Sequence, residues 1–214
     1  MRTMTGMLMA VALCATGCSP AYRVHVNSFS ELGGPPDKTT PVFVATDPNA
    51  RNPILRKQIE AKIRSLLQDD GYRPVETMAA SSYVLTFRVG IDSERMIDYA
   101  PMYRPFFGFH GGHFGGFGGG YTVYTPYIDT IYSDWLEMKL YGPQGQGAAE
   151  RQVVWEGEAV TGTDQPDLRD AVNYLLVGCL EHFGADTGKW ISMTIKKDDP
   201  RVQSIAGIKG EETP

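Results

Sequence analysis

Two apolar stripes with helical spacing constrain the fold of this 214-residue chain more than any other feature. The first begins after Asn52 and Pro53, which suit the start of a helix, and it ends at Gly71, which suits a C-terminal stop. Its apolar positions are Leu55, Ile59, Ile63, Leu66 and Leu67. The second follows Asp164 and comprises Leu168, Ala171, Val172, Leu175, Leu176, Cys179, Leu180 and Phe183. Steps of three and four residues predict two amphipathic helices, and each must bury one face against another layer.

Segments typical of β-strands surround these helices. The candidate strands are residues 41–45, 83–89, 135–141 and 153–160, with residues 190–195 as a shorter one. A turn rich in glycine and proline at residues 142–147 joins two of them, which predicts an antiparallel hairpin with a long loop. The expected fold class is α+β, in which an antiparallel sheet of about four or five strands packs against two amphipathic helices.

The first eighteen residues have the organisation of a secretory signal peptide. Arg2 precedes a short apolar run at residues 7–13, and the small residues 15–17 precede Cys18. The apolar run is too short to span a bilayer as a stable helix. The small residues and Cys18 resemble a bacterial lipobox, which implies cleavage before Cys18 and its diacylation, for example with palmitate. We therefore predict a lipid-anchored protein of the bacterial cell envelope, and Ser19 favours the periplasmic face of the outer membrane.

Cysteine usage and charge limit what else the chain can do. Cys14 lies in the predicted signal peptide and Cys18 is the predicted lipid site, so Cys179 remains as a lone thiol. An intramolecular disulfide is then excluded, and stability must come from packing. The formal net charge of −5 gives no general attraction for nucleic acid or anionic lipid. Membrane affinity is expected to come from the lipid chains, at roughly 0.8 kcal/mol per buried methylene.

Two parts of the chain carry a family resemblance. In residues 55–89, the first amphipathic stripe is followed by Asp-Gly-Tyr-Arg at 70–73 and an aliphatic strand. In residues 136–183, the run Val-Trp-Glu-Gly-Glu-Ala at 154–159 precedes the second stripe. Together these parts resemble the domain-of-unknown-function family 4136, a family of uncharacterised bacterial lipoproteins. The resemblance implies a small α+β domain at the bacterial envelope, and it supplies no catalytic residue.

Residues 99–127 differ most in composition from the rest of the chain. They are rich in glycine and aromatic residues, and no Asp, Glu, Lys or Arg lies between Arg104 and Asp129. Because the segment lies between two strong strands, we predict a long loop insert. It is either a disordered, self-associating loop or a contact surface for sugar rings, lipid headgroups or another envelope protein. The aromatic residues of this candidate contact surface are Tyr103, Phe106, Phe107, Phe109, Phe114, Phe117 and Tyr121.

Metal binding and catalysis have weaker support. His110 and His113 are three residues apart in the insert, but a closed metal site needs about four ligands, and neither cysteine nor an acidic residue lies beside them. Cys179 and His182 are close enough for a nucleophile pair, yet Cys179 lies within the apolar stripe and is expected to be a buried structural thiol. No phosphate loop, dinucleotide fingerprint or nucleophile elbow is recognised, so we predict no cofactor and no catalytic residue.

The predicted organisation is one domain with appendages. Its parts are the signal peptide (1–17), a lipidated N-terminus and tether (18–40), a single α+β domain (41–195) and a disordered tail (196–214). The leading hypothesis is a non-enzymatic envelope lipoprotein with a structural, binding or assembly role through the Gly/aromatic insert. Its partners are then the membrane and another envelope protein or peptidoglycan, and not nucleic acid. The alternative is a ligand-handling accessory lipoprotein of an envelope transporter, with an apolar cleft between helices and sheet. An uncharacterised envelope enzyme is the third hypothesis.

Overall fold

The structure, a computed structural model, describes residues 21–46, 52–106, 119–143, 151–163 and 167–208. In chain order its strands and helices are β1 (Ala21–Ser30), β2 (Pro41–Thr46), α1 (Pro53–Asp69), β3 (Arg73–Val75), β4 (Tyr83–Phe106), β5 (Gly119–Tyr141), β6 (Val153–Thr163), α2 (Leu168–Leu180), β7 (Ile191–Lys196) and α3 (Pro200–Ala206). A short 3₁₀ turn, Met78–Ala80, precedes β4. The predicted signal peptide and Cys18 lie outside the described residues.

The seven described strands form one sheet in the order β3-β2-β4-β5-β6-β1-β7. The prediction of four or five antiparallel strands with two helices is therefore wrong in strand number, strand direction and helix number. β2 runs parallel to both β3 and β4, whereas every pairing from β4 across to β7 is antiparallel. The predicted antiparallel hairpin of β5 and β6 is confirmed.

The parallel edge of the sheet follows from the position of α1 in the chain. This helix connects β2 to β3, and such a crossover returns the chain to the end of the sheet from which it left, so the two strands run parallel. β3 has only three residues and contains Pro74. Proline lacks a backbone N–H, which suits it to an edge strand such as this one. A strand so short carries no alternation that sequence analysis could recognise.

β1 corrects the predicted boundary at the N-terminal side of the domain. Residues 18–40 were expected to form a tether, but β1 pairs with β6 on one side and with β7 on the other. Val24, Val26 and Ser28 on this strand are fully buried. The alternation at residues 23–26 is compatible with a strand, but both partner strands lie far along the chain, so the local pattern does not reveal that this segment is held inside the sheet.

α3 corrects the predicted boundary at the other end of the domain. Residues 196–214 were expected to form a disordered tail, but Pro200–Ala206 is helical, with Asp199 at its N-cap. Val202 and Ile205 of this helix are buried, and α3 packs against α1 and α2. With only two buried anchors, the helix lacks a stripe long enough for periodicity analysis.

The first helix begins and ends where the sequence predicts. Asn52 occupies the N-cap position, although its side chain makes no capping hydrogen bond, and Pro53 is the first helical residue. Gly71 follows the helix with a φ of +87°, a left-handed conformation that glycine adopts without steric cost. The N–H of Tyr72 donates to the Leu67 carbonyl at 2.8 Å, which closes this end. The buried apolar positions are Ile59, Ile63, Leu66 and Leu67.

The second helix is buried at every position from 171 to 180. It packs on β1, β5 and β6 and also contacts α1 and α3, so it needs apolar residues around most of its circumference. Asp167 caps its start by accepting hydrogen bonds from the N–H groups of Arg169 and Asp170. A polar pair, Lys62 and Asn173, is also buried where α1 meets α2. Lys62 Nζ donates a hydrogen bond to Asn173 Oδ1 at 2.7 Å.

Aromatic contacts hold the chain after α2 against the sheet. Trp155 on β6 is buried, and its Nε1 donates to the Ala185 carbonyl at 3.1 Å. Its ring meets Phe183 edge-on with the ring centroids 5.2 Å apart, and Phe183 meets Tyr72 in the same way at 5.2 Å. Such pairs add to area burial by about 0.5–1.5 kcal/mol each.

The three described helices cover one face of the sheet, and the opposite face carries a different set of side chains. On β5, Leu136, Met138 and Leu140 are fully buried beneath the helices. The alternate residues of the strand point to the opposite face because side chains alternate along a strand. We call this opposite face the open face. Trp135 belongs to it, whereas Trp155 belongs to the helix-covered face, so the two tryptophans are not cross-strand partners.

The two flanks of the Gly/aromatic insert differ from the sequence prediction. Residues 99–106 and 119–127 were expected to lie in a loop, but they continue β4 and β5, and the two strands remain paired as far as Phe106 and Gly119. The loop prediction is therefore wrong for both flanks. Residues 107–118, with His110 and His113, lie outside the described residues.

Candidate functional site

A two-stranded ribbon extends from the sheet. Among the described residues, the pairing of β5 with β6 reaches Tyr132 and the pairing of β2 with β4 reaches Phe87. Beyond these points β4 and β5 pair with each other along residues 94–106 and 119–131, which we call the ribbon. At about 3.4 Å per residue the ribbon extends roughly 40 Å.

Three of the predicted aromatic contact residues lie at the far end of the ribbon. Tyr103, Phe106 and Tyr121 belong to its strands, where the backbone pairs Tyr103 with Thr122 and Phe106 with Gly119. The other predicted contact residues, Phe107, Phe109, Phe114 and Phe117, lie outside the described residues. The strand register therefore brings part of the predicted surface to one end of one hairpin.

Apolar side chains along the ribbon are exposed. Met102, Tyr124 and Ile131 are 48%, 64% and 40% exposed. By the two-residue period, Met102 and Ile131 lie on the open-face side of the hairpin, whereas Tyr124 lies on the other side. Both faces of the ribbon thus present apolar surface, and this surface extends beyond the aromatic residues that the sequence predicts as contacts.

A groove of about 270 Å³ lies on the open face of the sheet. Its lining residues are Asn27 and Phe29 on β1, Glu156 and Glu158 on β6, and Trp135 and Glu137 on β5. The strand register explains why they meet: Asn27 is opposite Glu158, and Glu158 is opposite Glu137. We call this cavity the groove. Alternation along each strand signals which residues share a face, but only the pairing of β1, β6 and β5 makes them neighbours.

Ion pairs organise two of the three carboxylates in the groove. Lys139 Nζ lies 2.7 Å from Glu137 Oε1 and 3.1 Å from Glu156 Oε1, and Arg88 Nη1 lies 3.5 Å from Glu137 Oε2. The hydrogen bond from Lys139 is the main cause that lowers the pKa of Glu137. Glu158 behaves differently, since partial burial and the nearby charges of Glu137 and Glu156 raise its pKa. The groove therefore has a surplus of negative charge centred on Glu158.

Trp135 forms one wall of the groove and is held against β4. In the antiparallel pairing of β4 with β5, the residue opposite Trp135 is Gly90. The Nε1 atom of Trp135 is buried and has no hydrogen-bond partner among the described residues. The ring thus presents its surface to the groove while its polar atom is turned away from solvent.

In the candidate pair Cys179 and His182, the cysteine has the properties of a buried structural thiol and not of a nucleophile. Cys179 is fully buried, as its place in the apolar stripe predicts. Burial raises the pKa of this thiol to about 12, with a smaller contribution from the charge of Glu158. A thiol with this pKa is almost wholly protonated at neutral pH, whereas a nucleophilic cysteine must be a thiolate. The geometry therefore supports the structural interpretation of Cys179.

Asp134 is a buried carboxylate that no sequence pattern predicts. It is fully buried on β5, its Oδ2 accepts a hydrogen bond from Thr163 Oγ1 at 3.4 Å, and its Oδ1 has no partner in the part of the chain that the structure describes. Burial is the main cause that raises its pKa. Within the described ranges, no three His, Cys, Asp or Glu side chains come together as metal ligands. None of the helices in those ranges is both long and apolar enough to cross a membrane.

Two solved structures are distantly similar to this chain. No protein-family model and no curated protein matches the sequence. Among solved structures, a dodecameric point variant of PelC from Paraburkholderia phytofirmans is 17% identical with a TM-score of 0.40, and the alignment covers 76% of this chain and 98% of that one. A PDZ domain protein from Parabacteroides distasonis is 13% identical with a TM-score of 0.42, over 83% of this chain and 40% of that one. Both TM-scores are below 0.5, so neither similarity supports a shared fold or function.

Proposed function

We propose that this chain is a lipid-anchored protein of the bacterial cell envelope that binds or assembles with another envelope protein through the ribbon. The observation that carries this proposal is the ribbon itself, a two-stranded structure with exposed apolar side chains on both sides. A two-stranded hairpin is at best marginally stable in water without further packing. A partner that covers Met102, Tyr124 and Ile131 would supply that packing.

The prolines of the ribbon favour contact through its faces. Pro101, Pro105 and Pro126 lie within the paired strands. Each lacks a backbone N–H, so the ribbon is a poor template for adding a further strand along its edges. A partner is then expected to contact the side chains on the two faces of the ribbon. The missing N–H groups favour a specific protein contact over open-ended strand addition.

The predicted lipid site would hold the domain close to the membrane. Only two residues separate Cys18 from the first residue of β1, Ala21. A fully extended chain spans at most about 3.5 Å per residue, so this link reaches roughly 10 Å. The anchor proposal rests on the lipobox-like sequence and on the resemblance to a lipoprotein family. An unmodified Cys18 in the mature protein, measured by mass spectrometry, would contradict it.

Site-specific photo-crosslinking in cells tests the ribbon. A photoreactive amino acid at position 124 is expected to form a defined protein adduct, whereas the same group at position 68, an exposed site on α1, is expected to form none. Met102→Ser with Ile131→Thr should weaken the adduct and leave the circular dichroism spectrum unchanged.

A shortened hairpin provides the second test. Residues 94–131 are replaced by Asn-Gly, a two-residue turn that suits the paired positions Ser93 and Tyr132. The domain should remain folded because the apolar core lies under the helices and not in the ribbon. Loss of the in-cell complex with an unchanged melting temperature supports the proposal. An unchanged complex in this variant would overturn it.

A further inference from the structure

We infer that the groove on the open face is a docking site for a Lys or Arg side chain displayed by a protein partner. This site is separate from the ribbon, so groove variants and ribbon variants report on two different contacts. The occupant follows from three properties of the groove: its charge, its aromatic walls and its size.

The charge of the groove is complementary to a single cation. Glu137, Glu156 and Glu158 contribute three carboxylates, and Lys139 lies between the first two. Glu158, in the central row of the three strands, forms no ion pair with any residue that the structure describes. A guanidinium or ammonium group at this position would give Glu158 the partner that Glu137 and Glu156 already have.

The aromatic walls suit the same kind of ligand. Phe29 is 60% exposed and lies one row to one side of Glu158, whereas Trp135 lies one row to the other side. A cation over an aromatic face is attracted by the ring quadrupole, and the alkyl stem of Lys or Arg can pack against the ring. An exposed phenylalanine beside carboxylates thus becomes part of the site rather than an isolated apolar residue.

The size of the groove argues against a larger ligand. Its volume of about 270 Å³ is below the ~300–1,000 Å³ typical of pockets that enclose drug-sized molecules. One long side chain entering from a neighbouring protein fits this scale. Since Lys139 already bridges Glu137 and Glu156, an inorganic cation would have to displace it to gather three carboxylate ligands.

Peptide titration tests this inference on the purified full-length protein in detergent. The probe is acetyl-Gly-Arg-Gly-amide, and the control peptide carries citrulline, which keeps the shape of arginine and removes its charge. The expected result is that only the arginine peptide shifts the NMR signal of the Trp135 indole N–H. Its apparent Kd should rise as salt increases from about 50 to about 500 mM, because added ions screen the charges.

Variants then locate the binding site. Glu158→Gln should weaken binding roughly two- to fivefold, the effect of losing one exposed charge pair. Asp69→Asn, which removes an exposed carboxylate at the end of α1, should leave the affinity unchanged. Equal binding of the citrulline peptide, or no effect of Glu158→Gln, would overturn the inference. Saturation of the same signals by Ca²⁺ alone, or a self-associated state that excludes the peptide, would also overturn it and assign the groove to a metal ion or to a second copy of this chain.

Discussion

The indole ring of Trp135 lies against the backbone of Gly90, and a Cβ atom added at position 90 would be only 2.4 Å from Cζ2 of Trp135. Glycine is therefore required at this position for close approach. The contact fixes the ring that forms one wall of the groove. Substitution of Gly90 is expected to disturb both the stability of the sheet and the shape of the site.

Gly90→Ala should destabilise the protein by about 1–3 kcal/mol, because the added methyl group overpacks against the tryptophan. Urea denaturation measures the loss, and the near-ultraviolet circular dichroism spectrum should change as Trp135 moves. The matched control is Gly162→Ala on β6, where the added Cβ would meet no described atom within 4 Å. Equal stability of the two variants would contradict the tight contact between Gly90 and Trp135.

Substitutions of the buried pair Lys62 and Asn173 should have strongly non-additive effects on the free energy of unfolding. Asn173→Leu leaves the Lys62 ammonium without its acceptor, which should cost about 1.5–3 kcal/mol, as expected for a lost hydrogen bond to a charged group. Burial lowers the pKa of Lys62, and Lys62→Met removes this buried charge but leaves Asn173 Oδ1 without its donor, so the substitution should cost about 1–3 kcal/mol. In the Lys62→Met background, Asn173→Leu should lose most of its cost. Additive effects in urea titrations of the four proteins would show that the pair is not coupled.

Leu175 and Cys179 test the packing of α2. Both are fully buried. Leu175→Ala should destabilise the protein by about 2–5 kcal/mol, because the side chain leaves a cavity in a closely packed core. Native Cys179 should react with a thiol reagent only at the rate at which the protein unfolds, and Leu175→Ala should speed that reaction. Rapid labelling of the native wild-type protein would show that Cys179 is accessible.

Asp199, the N-cap residue of α3, should make a small contribution to the free energy of unfolding, and this contribution should depend on pH. The Arg201 side chain donates a hydrogen bond to Asp199 Oδ2 at 3.0 Å and the Arg201 N–H donates one to Oδ1 at 2.9 Å, and these contacts hold the pKa of Asp199 below its ordinary value of 3.8. Because the folded pKa is lower than the unfolded one, the carboxylate stabilises the protein above about pH 4, and this contribution disappears as the pH falls through the folded pKa.

Asp199→Asn should therefore lower stability at about pH 7 by at most about 1 kcal/mol, since the pair is partly exposed to solvent. As the pH falls through the folded pKa of Asp199, the wild type and the variant should approach equal stability, because the carboxylate becomes protonated. Asp198→Asn, at the exposed neighbouring position, serves as the control and should keep the stability of the wild type at about pH 7. A difference between Asp199→Asn and the wild type that stays constant with pH would exclude the ion pair as its source.

Local sequence signals were sufficient for the helices and strands that bury long apolar stripes. The spacing from Leu55 to Leu67 predicts α1, and the denser pattern around Leu175 predicts α2, because helical periodicity depends on neighbours three and four residues apart. The burial of Cys179 follows from the same pattern. The hairpin of β5 and β6 was also predictable, since its strands are adjacent in the chain and joined by turn residues.

Strand pairings between distant segments were decided only by the tertiary structure. β1 and β7 become neighbours in the sheet although they lie near opposite ends of the described chain, and α1 makes one edge of the sheet parallel. The groove depends on the same kind of pairing, since Asn27, Glu158 and Glu137 meet only through the register of three strands. Alternation tells which side chains share a face of one strand, but it does not tell which strands lie beside one another. The composition of residues 99–127 marked an unusual segment, and only the pairing of β4 with β5 turned its flanks into a ribbon.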